Sequence, residues 1–217
     1  MKAGSSLELT RRAVFTSGTA LVLAGCGTNL IGPPPAPQIY ALHPALSAMR
    51  QGPPLPWQLV VAQPVTPEVL DTQRIALERA PNLMDFFANA QWTDRLPLLL
   101  QSLLIEAFEV SQTVSAVGRE GGGLRADYVL ATEIRNFHAY YEVIDSPPKI
   151  KVAVAAKLVA APTHDLVRGT EIQREVPTSA NDLPSITAAF GQAAGDMAEA
   201  LVTWTMQGPR GSLRGAG

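Results

Sequence analysis

The sequence predicts an α/β fold: a single-domain, two-layer sandwich in which a mixed, mostly antiparallel sheet carries two long helices on one face. Short apolar or alternating segments bounded by proline and glycine recur through residues 38–207, which is typical of strands. Two longer segments space their apolar residues three and four positions apart, which is typical of helices. The chain has 217 residues, of which 47% are hydrophobic and 17% charged, so it can build a core of ordinary size.

The first 25 residues predict a bacterial lipoprotein signal peptide. Lys2, Arg11 and Arg12 precede a largely apolar stretch at 13–24, whose 12 residues are too few for a helix to cross a bilayer. This stretch leads into Leu-Ala-Gly-Cys at 23–26, the pattern that a lipoprotein signal peptidase cleaves before the cysteine. Cys26 is the one cysteine in the chain, and we predict that it carries the acyl groups, palmitate among them, that anchor the mature protein in a membrane.

The surroundings of this anchor bear on the compartment. The two arginines fit a general secretory signal, and they also fit the beginning of a twin-arginine signal. Gly27 follows the cysteine at the place where enteric bacteria use aspartate to retain lipoproteins in the inner membrane. This favours the periplasmic face of the outer membrane. The formal net charge of −2, without a basic cluster in the mature chain, gives no indication of nucleic-acid binding.

The mature chain is predicted to have three parts. Residues 26–37 contain the lipidated cysteine and a proline-rich tether, in which three successive prolines favour polyproline II at about 3.1 Å per residue. Residues 38–207 form the folded domain. Residues 208–217 show no apolar pattern and are predicted to be a disordered tail.

Four short strands are predicted before the first helix. The strand at 58–63 is apolar and lies between two prolines, so we expect it to be buried on both faces. Ile75 and Leu77 share one face of another strand. The four predicted strands cover 39–42, 58–63, 73–78 and 84–88.

The first helix is predicted to begin with Thr93 or Asp94 as its cap, with Pro97 in the first turn. It is apolar around much of its circumference, so we expect it in the centre of the core. Its apolar stripe consists of Leu96, Leu99, Leu100, Leu103, Ala107 and Phe108. A glycine-rich segment that includes 121–123 is then expected to break the chain.

The second half predicts an antiparallel meander followed by a helix. From Tyr128 onward every second residue belongs to one face of a strand, and this alternation changes parity before Phe137. The change predicts a β-bulge near Arg135 and Asn136. The next strands cover 150–160 and 166–176, and the first of these alternates apolar residues with lysines. The last helix is predicted to begin at Asn181 or Asp182, with an apolar stripe that consists of Ile186, Phe190, Ala193, Met197, Leu201 and Trp204.

The sequence contains no motif that predicts catalysis, a metal or a cofactor. His43, His138 and His164 lie in different segments without the spacing of metal ligands. The glycines at 121–123 precede a strand, whereas a dinucleotide-binding loop follows one and opens a helix. We therefore expect no catalytic residue, no metal site and no cofactor, and we expect that the protein is not an enzyme.

Three blocks carry a resemblance to a known family. They are LDTQRIAL at 70–77, ANAQWTDRLPLLLQSLLIEAF at 88–108 and ADYVL at 126–130. Together with the Cys26 motif, these blocks resemble the ABC-type transport auxiliary lipoproteins, which include the lipoprotein component of paraquat-inducible intermembrane transport systems. The resemblance implies an α/β domain without catalytic residues. It also implies that MCE-type and ABC permease and ATPase components, which move lipids between the membranes, are the partners.

The resemblance also points to a candidate partner-binding surface. The family's Asp-Thr pair corresponds to Asp71 and Thr72, and its Asn-x-x-Trp block to Asn89 and Trp92, with Arg95 in the next turn. Aromatic residues and arginines commonly anchor interfaces. We therefore predict that Asp71, Asn89, Trp92 and Arg95 contribute to binding a transport component.

Other interpretations remain open at this stage. Asp71 and Asn89 also suit turns, and Trp92 also suits the core. The protein could instead be a regulatory lipoprotein that activates an envelope enzyme, or a stand-alone lipid-binding lipoprotein, which would need a cavity in place of a packed core. Self-association of the chain also stays open.

Overall fold

The computed structural model describes residues 36–47 and 53–208. The predicted signal peptide, Cys26, most of the tether and all but the first residue of the tail lie outside these residues. The elements are, in order, β1 (Gln38–Tyr40), β2 (Leu55–Val61), a short 3₁₀ turn (Glu68–Leu70), β3 (Arg74–Ala80), β4 (Leu83–Trp92), α1 (Leu96–Ser111), β5 (Val114–Arg119), β6 (Tyr128–Tyr140), β7 (Lys149–Ala160), β8 (Leu166–Pro177) and α2 (Leu183–Met206).

The long strand β6 organises the sheet. In the described residues eight strands form one mixed sheet, and β7 pairs antiparallel with β6 along its whole length, with β8 antiparallel beyond it. The other edge of β6 is shared, because β2 pairs parallel with its beginning and β3 pairs parallel with its end. Strand β5 extends the sheet beyond β2, while β4 and then β1 extend it beyond β3. The predicted α/β fold with a mixed sheet is confirmed.

Both helices cover one face of the sheet, which we call the helix face. Helix α2 packs on β7 and β8, and α1 packs against α2, β2 and β5. The side chains of Leu100, Phe190 and Met197 are fully buried between these layers. The other face, which we call the open face, carries the exposed side chains of Glu133, Lys157, Glu171 and Glu175.

The predicted bulge in β6 is confirmed. The register with β7 shifts between Ile134 and Asn136, so that Ile134 pairs with Val154 and Phe137 with Val152. The extra residue changes the parity of the strand. Ile134 and Phe137 are therefore both buried, although their spacing of three would place them on opposite faces of a regular strand.

Two element predictions were wrong. Strand β5 was not predicted, and it forms at 114–119 because its backbone pairs in parallel with β2, which lies far away in the sequence. Strand β4 extends to Trp92 instead of ending near Ala88, because the chain bulges between Phe86 and Gln91 and then rejoins the sheet.

The two helices begin differently. The predicted cap of α2 is confirmed, since the carboxylate of Asp182 accepts a hydrogen bond from the Ser185 amide at 2.8 Å. The predicted cap of α1 is wrong, because Arg95 occupies that position and makes no side-chain cap. Instead the first amide of α1, at Leu96, donates to the carbonyl of Thr72 at 3.1 Å. A distant turn therefore satisfies a group for which the sequence suggested Thr93 or Asp94.

The segment after β1 packs closely on α2. A Cβ atom at Gly191 would lie 2.8 Å from the carbonyl oxygen of His43, and one at Gly195 would lie 3.1 Å from the Pro44 side chain. The Ser47 amide donates to the Glu199 carboxylate at 2.7 Å. Glycine at these two helix positions therefore allows the backbone of 43–47 to lie against α2.

Candidate functional site

Asp71 and Arg95 lie together although 24 residues separate them. The Nε atom of Arg95 donates to Oδ1 of Asp71 at 2.9 Å, and a terminal guanidinium nitrogen donates to Oδ2. Two parallel hydrogen bonds fix the orientation of both side chains. Their exposed fractions are 50% for Arg95 and 31% for Asp71, so the pair is accessible and contributes only modestly to stability.

Backbone hydrogen bonds hold the turn that carries Asp71 against the beginning of α1. Besides the Leu96–Thr72 bond, the Trp92 amide donates to the backbone carbonyl of Gln73 at 2.7 Å, and the Thr93 amide donates to that of Tyr40 at 3.0 Å. The turn, the end of β4 and the N-terminal end of α1 therefore form one fixed corner. Its shallow polar groove, which we call the α1 groove, is lined by Asp71, Thr72, Gln73, Arg74, Gln91, Asp94 and Arg95.

Trp92 does not belong to this exposed surface. It is 2% exposed, and its ring contacts those of Phe190 and Phe137 edge-on, with centroid distances of 5.3 and 6.2 Å. These contacts join β4, β6 and α2 in the core. The prediction that Trp92 contacts a partner is therefore wrong for the fold described here, and its interpretation as a core residue is correct.

Asn89 is exposed but lies outside the lining of the α1 groove. Its φ of 55° places it in the left-handed region, within the stretch where β4 bulges between Phe86 and Gln91. Asparagine tolerates this conformation better than most residues, which accounts for its presence at the bulge. Of the four predicted residues, the structure thus brings together Asp71 and Arg95.

A buried histidine lies on the open face. His138 is 4% exposed, and its Nε2 atom lies 3.2 Å from a carboxylate oxygen of Glu78 without the alignment of a hydrogen bond. Burial lowers the pKa of His138, the carboxylate of Glu78 opposes this shift, and the ammonium group of Lys151 adds to it. The net direction is downward, so His138 is neutral at pH 7.

The described parts of the chain contain neither a candidate metal-ligand cluster nor a helix suited to cross a membrane. Residues 36–47 and 53–208 contain no group of three histidine, cysteine or acidic side chains placed to hold a metal ion. Within the same residues, neither helix combines the length and apolarity that a bilayer-spanning helix needs.

The comparison with protein families decides the relationship. Residues 40–202 match the model of the ABC-type transport auxiliary lipoprotein component. The chain belongs to this family. The match begins at the last residue of β1 and ends within α2, so it covers nearly all of the elements described above.

Solved structures share the fold of this auxiliary lipoprotein. A crystal structure of a protein from Xanthomonas campestris superposes with a TM-score of 0.73 at 29% identity, covering 78% of this chain and 95% of that one. A crystal structure of an uncharacterized protein has a TM-score of 0.62 at 16% identity, covering 79% of this chain and 99% of that one. The second similarity is at the level of fold alone.

A curated relative is longer than this chain. An uncharacterized protein of Bradyrhizobium diazoefficiens is 26% identical over 189 residues, which cover 85% of this chain and 49% of that protein. The auxiliary lipoprotein therefore spans about half the length of the curated relative that it matches.

One surface was not singled out from the sequence. Val143 and Ile144, in the connection between β6 and β7, are 66% and 69% exposed, and Leu83 at the start of β4 is 56% exposed. The sequence did contain a signal for this surface: two β-branched apolar residues stand directly before Asp-Ser-Pro-Pro, a turn sequence. Side chains in a turn between strands lie on the surface, so the exposure of these two could have been expected.

Proposed function

We propose that this auxiliary lipoprotein is a non-catalytic component of an MCE-type ABC system that transports lipids between the inner and outer membranes. Acylated Cys26 anchors it to the outer membrane, with the domain in the periplasm. The observation that carries the proposal is the family match over 40–202 in a chain that also has a lipoprotein cleavage motif at 23–26.

We place the contact with a transport component at the α1 groove. The Asp71–Arg95 pair presents a fixed, accessible guanidinium on a corner held by backbone hydrogen bonds. A pre-oriented arginine loses little side-chain entropy on binding, and the N–H groups that do not bind Asp71 can donate to a partner's carboxylate. Asn89, which is exposed in the bulge of β4, is included as a second candidate contact.

The filled interior bears on the alternative of a stand-alone lipid carrier. Large side chains occupy the space between sheet and helices, and among the fully buried ones are Trp57, Phe108, Tyr128 and Phe190. An acyl chain inside the domain would need to displace several of them, which is costly in a close-packed core. This favours a role in assembly with partners over one as a carrier.

A genetic experiment tests the system to which the protein belongs. Deleting this gene should weaken the envelope barrier against detergent and hydrophobic dyes as much as deleting the MCE-type component does. The double deletion should be no worse than either single deletion, because both products act in one pathway. Additive defects in the double deletion would contradict the proposal and would favour the activator of an envelope enzyme.

The anchor has its own test. Cys26→Ser should give an unprocessed precursor that incorporates no labelled palmitate, because the thiol that receives the lipid is absent. Membrane fractionation of the wild type should place the acylated protein with the outer membrane. Normal acylation and sorting of the variant would show that Cys26 is not the lipidation site.

A further inference from the structure

We propose that the end of the domain formed by the β3–β4 and β6–β7 connections is a docking site for a protein partner that inserts one apolar side chain flanked by lysine or arginine. This inference rests on the proposed function, because it assigns a second contact with the transport components. The exposed residues Leu83, Val143 and Ile144 are called the apolar tip below.

The two connections lie at the same end of the sheet. Strands β3 and β6 run parallel, with Glu78 level with Tyr140, so the turns that follow them are neighbours. The Tyr141 amide donates to the Glu78 carbonyl at 3.1 Å and continues this pairing into the connection. The apolar tip is therefore one surface contributed by two hairpins.

A small cavity opens beside the apolar tip. Its volume is about 160 Å³. A cavity of about 150 Å³ accepts one benzene molecule, so this one has room for a single side chain of that size and is too small for a phospholipid. Leu77, Phe87, Ala88 and Ile144 supply the apolar part of its lining. It is lined by Leu77, Arg79, Phe87, Ala88, Tyr141, Ile144, Asp145 and Asn181.

The connection after β6 is held in place by its own hydrogen bonds. The Ser146 hydroxyl and amide both donate to the Val143 carbonyl, at 2.6 and 3.2 Å. The Tyr141 hydroxyl donates to Asn181 at 2.8 Å. Val143 and Ile144 are thus exposed on a fixed loop, which reduces the entropy that binding would cost.

Charge around the cavity indicates the partner's character. Arg79, which lines the cavity, lies 3.4 Å from Asp85, and the ammonium of Lys149, the first residue of β7, lies 2.7 Å from Glu142, so both cations already have partners. Asp145, by contrast, lines the cavity, is exposed, and makes no ion pair within the described residues. The surplus charge is negative, which complements a basic protein segment and disfavours an anionic lipid surface.

The test measures binding of the acylated mature chain to the purified MCE-type component in detergent. Val143→Ser with Ile144→Ser should raise the dissociation constant about tenfold or more, since Ile144 lines the cavity and Val143 is the exposed apolar residue next to it. Asp145→Asn should weaken binding less and reduce its salt dependence. Asparagine, like aspartate, tolerates the φ of 65° at position 145, so this substitution should not strain the backbone. Leu166→Ser is the matched control, because Leu166 is 61% exposed at the opposite end of β7 and β8.

The outcomes separate this inference from the proposed function. If the wild type binds and the double variant binds equally well, the apolar tip is not the docking site while the proposed function stands. If the wild type does not bind the MCE-type component or the other transport components, both fail. If the double variant instead abolishes flotation of an unacylated chain of residues 27–217 with phosphatidylglycerol vesicles, or its self-association, a bilayer or a second copy is the occupant and the inference is overturned.

Discussion

The helix layer and the α1 groove are made from neighbouring residues, yet they differ in burial and chemistry. Leu100 is fully buried between α1 and the sheet, whereas Arg95, five residues earlier, exposes half of its side chain and pairs with Asp71. The change occurs between Arg95 and Leu96, because Leu96, the first residue of α1, is already buried where the turn at 71–73 meets the helix. Stability and recognition can therefore depend on separate residues of one helix and its cap.

The largest effect on stability is expected where α1 packs on the helix face of the sheet. Leu100→Ala should lower the free energy of unfolding by about 2–5 kcal/mol, because it removes buried methyl groups and leaves a cavity. Leu103→Ala should fall in the same range, since Leu103 is 4% exposed. Chemical denaturation of the unacylated chain measures both losses.

Leu99 provides the matched control on the same helix. It is only half-buried at the edge of the core, so Leu99→Ala should cost clearly less than Leu100→Ala. Losses below about 1 kcal/mol for both buried leucines would contradict the packing of α1 against the sheet.

An intermediate effect is expected at His138 on the open face. Burial lowers its pKa in the folded state, so below about pH 6.5 the unfolded chain binds a proton that the folded chain resists. Stability should therefore fall as the pH falls from about 6.5 towards the folded-state pKa, by at most about 1.4 kcal/mol per pH unit for one proton. Above pH 6.5 this contribution is constant.

His138→Gln should reduce this pH dependence, because glutamine does not titrate. Denaturation at pH 7.5 and pH 5.5 gives the comparison, with His43→Gln as the control at an exposed histidine. An identical loss of stability in the wild type and in His138→Gln would show that other groups cause the acid sensitivity.

The smallest effect on stability is expected at the α1 groove. Arg95→Glu removes an accessible ion pair and should change the free energy of unfolding by about 1 kcal/mol or less. Co-purification with the MCE-type component should nevertheless be lost, because the variant presents repulsive charge beside Asp71. Full co-purification with intact barrier function would exclude Arg95 from the contact.

Much of the fold could be predicted where the pattern is local. The alternation of 150–160 and the parity change around Arg135 placed β7 and the bulge, and Asp182 marked the start of α2. Strand β5 could not be predicted in this way, since its short segment forms a strand only by pairing with β2. The division of one edge of β6 between β2 and β3 likewise depends on contacts that are distant in sequence.

The candidate site could be predicted only in part. Asp71 and Arg95 were both singled out, but their direct contact depends on how the turn at 71–73 meets α1. An arginine and a tryptophan three residues apart suggested one exposed surface. Because Trp92 ends a strand that packs under α2, its side chain enters the core while that of Arg95 stays in solvent.

The proposed function requires that this lipoprotein works in complex with an MCE-type transport system. The most direct measurement is affinity purification of the acylated wild-type protein from crosslinked envelopes, with quantification of the MCE-type, permease and ATPase components by mass spectrometry. We expect the MCE-type component to be enriched with the wild type and depleted with Arg95→Glu at equal bait recovery. Recovery of none of the three components above the level of an unrelated outer-membrane lipoprotein would contradict the proposed function.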